Sequence, residues 1–200
     1  MKRKVSYREP RKQKSILVVC DGERTEADYF RNWRSVLGPS RLVIRNELVR
    51  SGGNPLRAVR AAIRLKGREG SFHEVWCVCD IDDAPAADIV KAVGLAGRNQ
   101  ITLCMSKRCF EVWIGLHYGK HANHLSCGAS AVAHVRKFIP DYAKDLKIAP
   151  FRQLFPLTQV ALANAAWLRA QDVSDPATDV DYLVQSFVDE ARAAGIGLPE

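Results

Sequence analysis

Apolar residues follow two rhythms along the chain. Uninterrupted runs at 15–20, 74–80 and 101–105 lack the alternation of a half-exposed strand, the pattern of strands buried on both faces. A mixed run at 42–49 reads as a fourth strand. Between them the spacing becomes helical. Tyr29, Phe30, Trp33, Val36 and Leu37 predict a helix over 25–37, with Thr25 and Asp28 spaced as a capping box. Gly52-Gly53-Asn54-Pro55 supplies a turn, an N-cap and a first-turn proline for a helix carrying Leu56, Val59, Ile63 and Lys66 as far as Gly67. An alanine-rich helix is expected at 86–95, and another at 110–118 with Phe110, Trp113, Ile114 and His117 on one face.

This succession, β-α-β-α-β-α-β with short connections, predicts an α/β fold: an open parallel sheet flanked by helices. Beyond Gly128 only helical patterns remain, at 129–138, 160–170 and 180–194. The last is the clearest, with Val180, Leu183, Val184, Phe187, Val188 and Ala191 on one stripe and Thr178 as N-cap. The expected organisation is an α/β core over 15–128 and a helical C-terminal extension over 129–200 packed on it.

Charge changes the picture at the N-terminus alone. The net charge is +8, but residues 1–14 hold seven Lys or Arg against Glu9, so the body is nearly neutral. The high isoelectric point reports a basic tail, expected to be disordered, of the kind that in some proteins binds nucleic acid. At 47% apolar residues the chain can bury a core of one ordinary domain. No run reaches a membrane span, and no signal-like apolar segment follows the basic start, so a cytoplasmic protein without a membrane partner is expected. The six cysteines form no Cys-x-x-Cys pair, and most lie in strand-like runs, which suits buried reduced thiols.

The candidate chemistry sits where strands end. One run closes with Asp21-Gly22-Glu23-Arg24-Thr25-Glu26 and another with Asp80-Ile81-Asp82-Asp83. In open α/β sheets ligands bind beyond the carboxyl ends of the strands. Carboxylates converging there suit a hard cation such as Mg²⁺ or Mn²⁺, and through it a phosphodiester. Asp80 and Asp82, two apart, share a side of an extended strand end, with Asp83 opposite. The alternative is that these aspartates merely end the strand and cap the next helix. Asp21 is the first-strand candidate; Glu23 and Glu26 are lesser ones. Glu111 stands among apolar neighbours, where an acid needs a partner or a ligand. Lys107 and Arg108 are its candidate ion-pair partners, or cations for a phosphate. His117, His121, His124 and Cys127 raise zinc, but their spacing fits no familiar closed site.

The runs ILVVCDGERTEADYF, VWCVCDIDD, KRCFEVWIGLHYG and DPATDVDYLVQSF resemble the RloB family, in order over most of the chain. That family is similar to the Toprim domains of topoisomerases, primases and OLD nucleases, so the resemblance implies a Toprim-like sheet. It implies a Mg²⁺-dependent nuclease acting on DNA or RNA (tRNA included), the effector of an antiviral, abortive-infection system working with an ABC-type ATPase. The oligomeric state stays open. Asp21, Asp80, Asp82 and Asp83 would then serve the metal, with Glu111 and Lys107 as further catalytic candidates. One departure stands out: Toprim first strands end in glutamate followed by glycine, and here Asp21 precedes Gly22. The shorter acid leaves open a non-catalytic subunit that uses the same fold to dock the ATPase or nucleic acid. Phosphoryl transfer other than hydrolysis is a third reading.

Overall fold

A computed structural model describes residues 14–21, 25–46, 54–82, 84–143 and 148–199. The strands are β1 (Ile16–Cys20), β2 (Leu42–Asn46), β3 (Glu74–Asp80), β4 (Thr102–Lys107) and β5 (Ala177–Thr178). They form one sheet in the order β2-β1-β3-β4-β5, parallel except that β5 runs antiparallel to β4. The helices are α1 (Thr25–Leu37), α2 (Pro55–Glu69), α3 (Ala86–Arg98), α4 (Glu111–Leu116), α5 (Gly128–Arg136), α6 (Ile148–Leu154), α7 (Thr158–Arg169) and α8 (Val180–Ala193).

The continuous apolar strands are explained by helices on both faces. Ile16, Val18, Cys20, Trp76, Val78 and Cys104 join one apolar layer, and Leu17, Val19, Val75, Cys77 and Cys79 the other. The period of two along each strand thus feeds two cores. The first layer also holds the α8 stripe from Val180 to Ala191, fully buried, with Phe187 meeting Phe30 at 5.9 Å and Trp33 at 5.6 Å between ring centroids. The last helix therefore completes the core that the first strand begins.

Local signals behave as their chemistry requires. Asn54 caps α2, its Oδ1 accepting the Arg57 N–H at 3.1 Å, and Pro55 opens the helix. That helix runs past Gly67 to Glu69 and stops at Gly70, whose φ of 101° suits glycine. Thr25 is the first helical residue of α1 and its side chain bonds Tyr142, while Asp28 pairs with Arg31 at 2.7 Å. Thr178 lies in β5, yet its Oγ1 accepts the Val180 N–H at 3.3 Å, so it does serve the start of α8. Two elements were not expected: α6, and β5, whose two residues are too short for a periodic signal. Residues 1–13 of the basic tail, the Gly52-Gly53 turn and the end of the expected 42–49 strand lie outside the described residues. Lys14 pairs with Glu74 at 3.0 Å. No helix among the described residues is long and apolar enough to cross a membrane.

Candidate functional site

From β1 the chain steps outward to β2 on one side, then returns through β3 and β4 on the other. The reversal falls between β1 and β3, the switch point beyond whose strand ends open α/β sheets bind their ligands. Asp21 follows the last residue of β1, and Asp80 is the last of β3. The Asp21 N–H donates to the Val78 carbonyl at 3.2 Å, and its carboxylate accepts the Asp80 backbone N–H. Asp21 is 8% exposed, and its Oδ2 has no hydrogen-bond partner among the described residues. Burial first, and the charge of Glu26 second, push Asp21 up to about 7. Glu26, in the first turn of α1, is itself buried. The acid treated as the lesser candidate thus stands against the leading one.

Asp82 has a different neighbour. Its Oδ1 takes a hydrogen bond from Arg108 Nη1 at 2.8 Å. Arg108 also donates through Nε to Asp175 Oδ1 at 2.9 Å and through Nη2 to Asp175 Oδ2. The guanidinium fork therefore ties the turn after β3 to the segment before β5. Arg108 holds this position with φ of 85°, a left-handed conformation costly for a residue with a side chain. His124 Nδ1 lies 3.3 Å from the same Asp175 carboxylate. Asp175 was not singled out from the sequence, because its partners Arg108 and His124 lie 67 and 51 residues away and no local spacing marks it.

Glu111 is 3% exposed at the start of α4. Its Oε1 accepts a hydrogen bond from the Tyr142 hydroxyl at 2.9 Å. Burial and the Glu111 charge push that hydroxyl up, and the same two causes raise the neighbouring Cys109 thiol. The expected ion pair between Glu111 and Arg108 is replaced by the Arg108 links to Asp82 and Asp175. Lys107 ends β4 and makes no ion pair among the described residues.

The histidines scatter. His117 is buried in the core, with Nδ1 on the Trp113 carbonyl at 3.1 Å, and His121 lies against His134, the rings tilted by 32° and 4.1 Å apart between centroids. His124 turns to Asp175, and Cys127 is exposed. Cys20, Cys77, Cys79, Cys104 and Cys109 are buried free thiols. Asp83 and Glu23 lie outside the described residues.

Among the described residues no three His, Cys, Asp or Glu side chains form a ready cage for a metal. Asp21, with Glu26 beside it and Asp80 at the neighbouring strand tip, has the donor chemistry that a divalent cation takes. An unpartnered, buried carboxylate oxygen beside a second acid is relieved by a positive charge, and Mg²⁺ takes one or two carboxylates and fills its sphere with water and phosphate oxygens. Asp82 joins such a set only by leaving Arg108.

Fold and site together define an α/β protein with an acidic centre at the switch point of a parallel sheet. Residues 16–187 match the RloB-like protein family, and the chain belongs to it. No curated protein and no solved structure matches the chain.

Proposed function

We propose that this RloB-family protein is a Mg²⁺- or Mn²⁺-dependent nuclease with a Toprim-like site, acting in the cytoplasm as the effector of an antiviral pair whose other member is an ABC-type ATPase. One observation carries the reading. The paired strand tips bring Asp21, with its unpartnered carboxylate oxygen, against Asp80 at the place where this kind of sheet binds its ligand.

Asp21 and Asp80 would hold the cation, with Asp82, and Asp83 from the same acidic run, as further oxygen donors. When bound, Mg²⁺ or Mn²⁺ supplies an acidified water and charge stabilisation at phosphate oxygens. The protein's own groups do the rest. The backbone amide of Asp80 fixes the Asp21 carboxylate, and Glu26 beside it can accept a proton. Lys107, unpaired among the described residues, is the cation available to a phosphate oxygen. Glu111 steadies the opening of α4 through Tyr142.

A second reading has its own support. Arg108 occupies Asp82 and Asp175 together, which suits a subunit that uses this edge to dock the ATPase or nucleic acid rather than to cut. Degradation of labelled DNA and of tRNA, with Mg²⁺ or Mn²⁺ and the activated partner ATPase present, separates the two. The nuclease reading expects cleavage by the wild type and none by Asp80→Asn. Absence of cleavage of either substrate, with partner binding intact, supports the docking reading.

A further inference from the structure

Beside the acidic centre lies a cavity of about 140 Å³ between the end of β3, β4 and the segment leading into β5. Ile81, the residue between Asp80 and Asp82, forms part of its wall, with Met105, Leu168 and Val173. The cavity and the acidic centre therefore share a stretch of chain. A cavity of about 150 Å³ lined by aliphatic side chains accommodates a benzene ring, so the space here suits one planar six-membered ring.

Two charged groups make the lining more selective than an aliphatic box. Lys107 lines it and has no ion-pair partner among the described residues. The other cation on the wall, Arg169, is already committed: both its terminal nitrogens reach Asp181 at 2.7 Å, and its guanidinium lies over Tyr182. Asp179 also lines the cavity. Its Oδ2 accepts the Met105 N–H at 3.3 Å, and its other oxygen has no hydrogen-bond partner among the described residues. A wall with one available cation and one available acceptor calls for a ligand that carries an anion, N–H donors and a flat apolar ring.

We infer that this cavity binds the base of an unpaired pyrimidine nucleotide, cytidine above all, with Lys107 on its phosphate and Asp179 accepting from the cytosine amine. A carboxylate is the natural acceptor for that amine. A base stacked in a duplex is out of reach, so the nucleotide enters from a single strand, a loop or a flipped position. The inference rests on the nuclease reading: the strand would lie across the strand tips with one base held beside the bond to be cut.

The test uses the full-length protein without metal, in EDTA, so that binding is read apart from cleavage. Cytidine 5′-monophosphate, cytidine and adenosine 5′-monophosphate are titrated by calorimetry into the wild type, Val173→Trp and Lys107→Ala. Val173 is 37% exposed, so a tryptophan there fills the cavity from its rim without entering the core. Expected are binding of cytidine monophosphate by the wild type and a loss of at least about tenfold in Val173→Trp with unchanged melting. Lys107→Ala should bind the nucleotide no better than the nucleoside. Undetectable binding of cytidine monophosphate, equal affinity for the adenosine nucleotide, or undiminished affinity in a folded Val173→Trp would overturn it. A wild type that cleaves nucleic acid but fails this titration loses the base pocket and keeps the nuclease. One that binds the nucleotide but never cleaves keeps the pocket and loses the nuclease.

Discussion

The carboxylate of Asp21 accepts the backbone N–H of Asp80, so the tips of two neighbouring parallel strands are fastened by a side chain that is itself acidic and almost fully buried. A buried carboxylate is costly when ionised. Here the cost falls where a ligand for the sheet is expected, and Glu26 beside it adds to the repulsion.

That cost has a pH signature. In the metal-free protein Asp21 stands at about 7, against an ordinary value of 3.8. Between those values the folded state holds a proton that the unfolded chain has released, so the fold loses stability steadily as pH rises from about 3.8 and bears the full loss above about 7. Asp21→Asn should leave stability near pH 4 almost unchanged and raise it at pH 8.5 by roughly 2–4 kcal/mol, at about 1.4 kcal/mol per pH unit. Urea melts in EDTA at the two pH values measure this. An equal effect at both would show that Asp21 is not strained by its charge.

His117 predicts the opposite slope. Burial lowers it to about 4, from an ordinary value near 6.5. The folded state therefore stays neutral where the unfolded chain takes up a proton, and stability falls as pH drops from about 6.5 towards 4. The loss is about 3 kcal/mol at most. His117→Asn, which retains a donor for the Trp113 carbonyl, should flatten the slope over this interval. An unchanged slope in the variant would assign the acid sensitivity elsewhere.

Tyr142 and Glu111 test a buried pair. Tyr142→Phe removes the donor to Glu111 Oε1 and should destabilise the fold by about 1–3 kcal/mol, the range for a hydrogen bond lost from a buried acid. Adding Glu111→Gln to Tyr142→Phe should recover part of that loss. Thermal denaturation of the two single variants and the double variant gives the coupling, and strict additivity would contradict a direct bond.

Asp80 and Asp82 should separate, although they look equivalent in the sequence. Asp82 is held by Arg108, whereas the Asp80 amide holds Asp21. Asp80→Asn should cost more in Mn²⁺ affinity than Asp82→Asn, because Asp82 has to leave Arg108 before it can ligate. Asp82→Asn should instead lower the melting temperature, because Arg108 loses one of its two carboxylates. Calorimetric Mn²⁺ titration and melting of both variants check the ranking, and a reversed order would mean that Asp82 leaves Arg108 to become the principal ligand.

Much of this architecture was legible because the apolar pattern is unambiguous. Runs such as 16–20 and 74–80 have to be buried on both faces, and the acids that stop them have to sit at the strand tips. Asn54-Pro55 marked a helix start in two residues. What the sequence withheld is pairing across distance. Nothing around Arg108 announces that its side chain turns from Glu111 to Asp82 and Asp175, since that depends on a left-handed backbone at one residue and on β5 lying beside β4. Tyr142 reaches Glu111 from a segment with no chemical motif of its own. Glu26 looked like an ordinary first-turn acid, and only the approach of α1 to the β1 tip makes it a neighbour of Asp21.

The central claim is that the β1 and β3 tips form a divalent-cation site. Titration of Mn²⁺ into the metal-free protein, with free Mn²⁺ counted by its electron paramagnetic resonance signal, tests it most directly. The wild type should take up Mn²⁺ at a saturable site that is lost in both Asp21→Asn and Asp80→Asn while each variant remains folded. Mn²⁺ uptake that is absent in the wild type, or identical in all three proteins, would contradict the account.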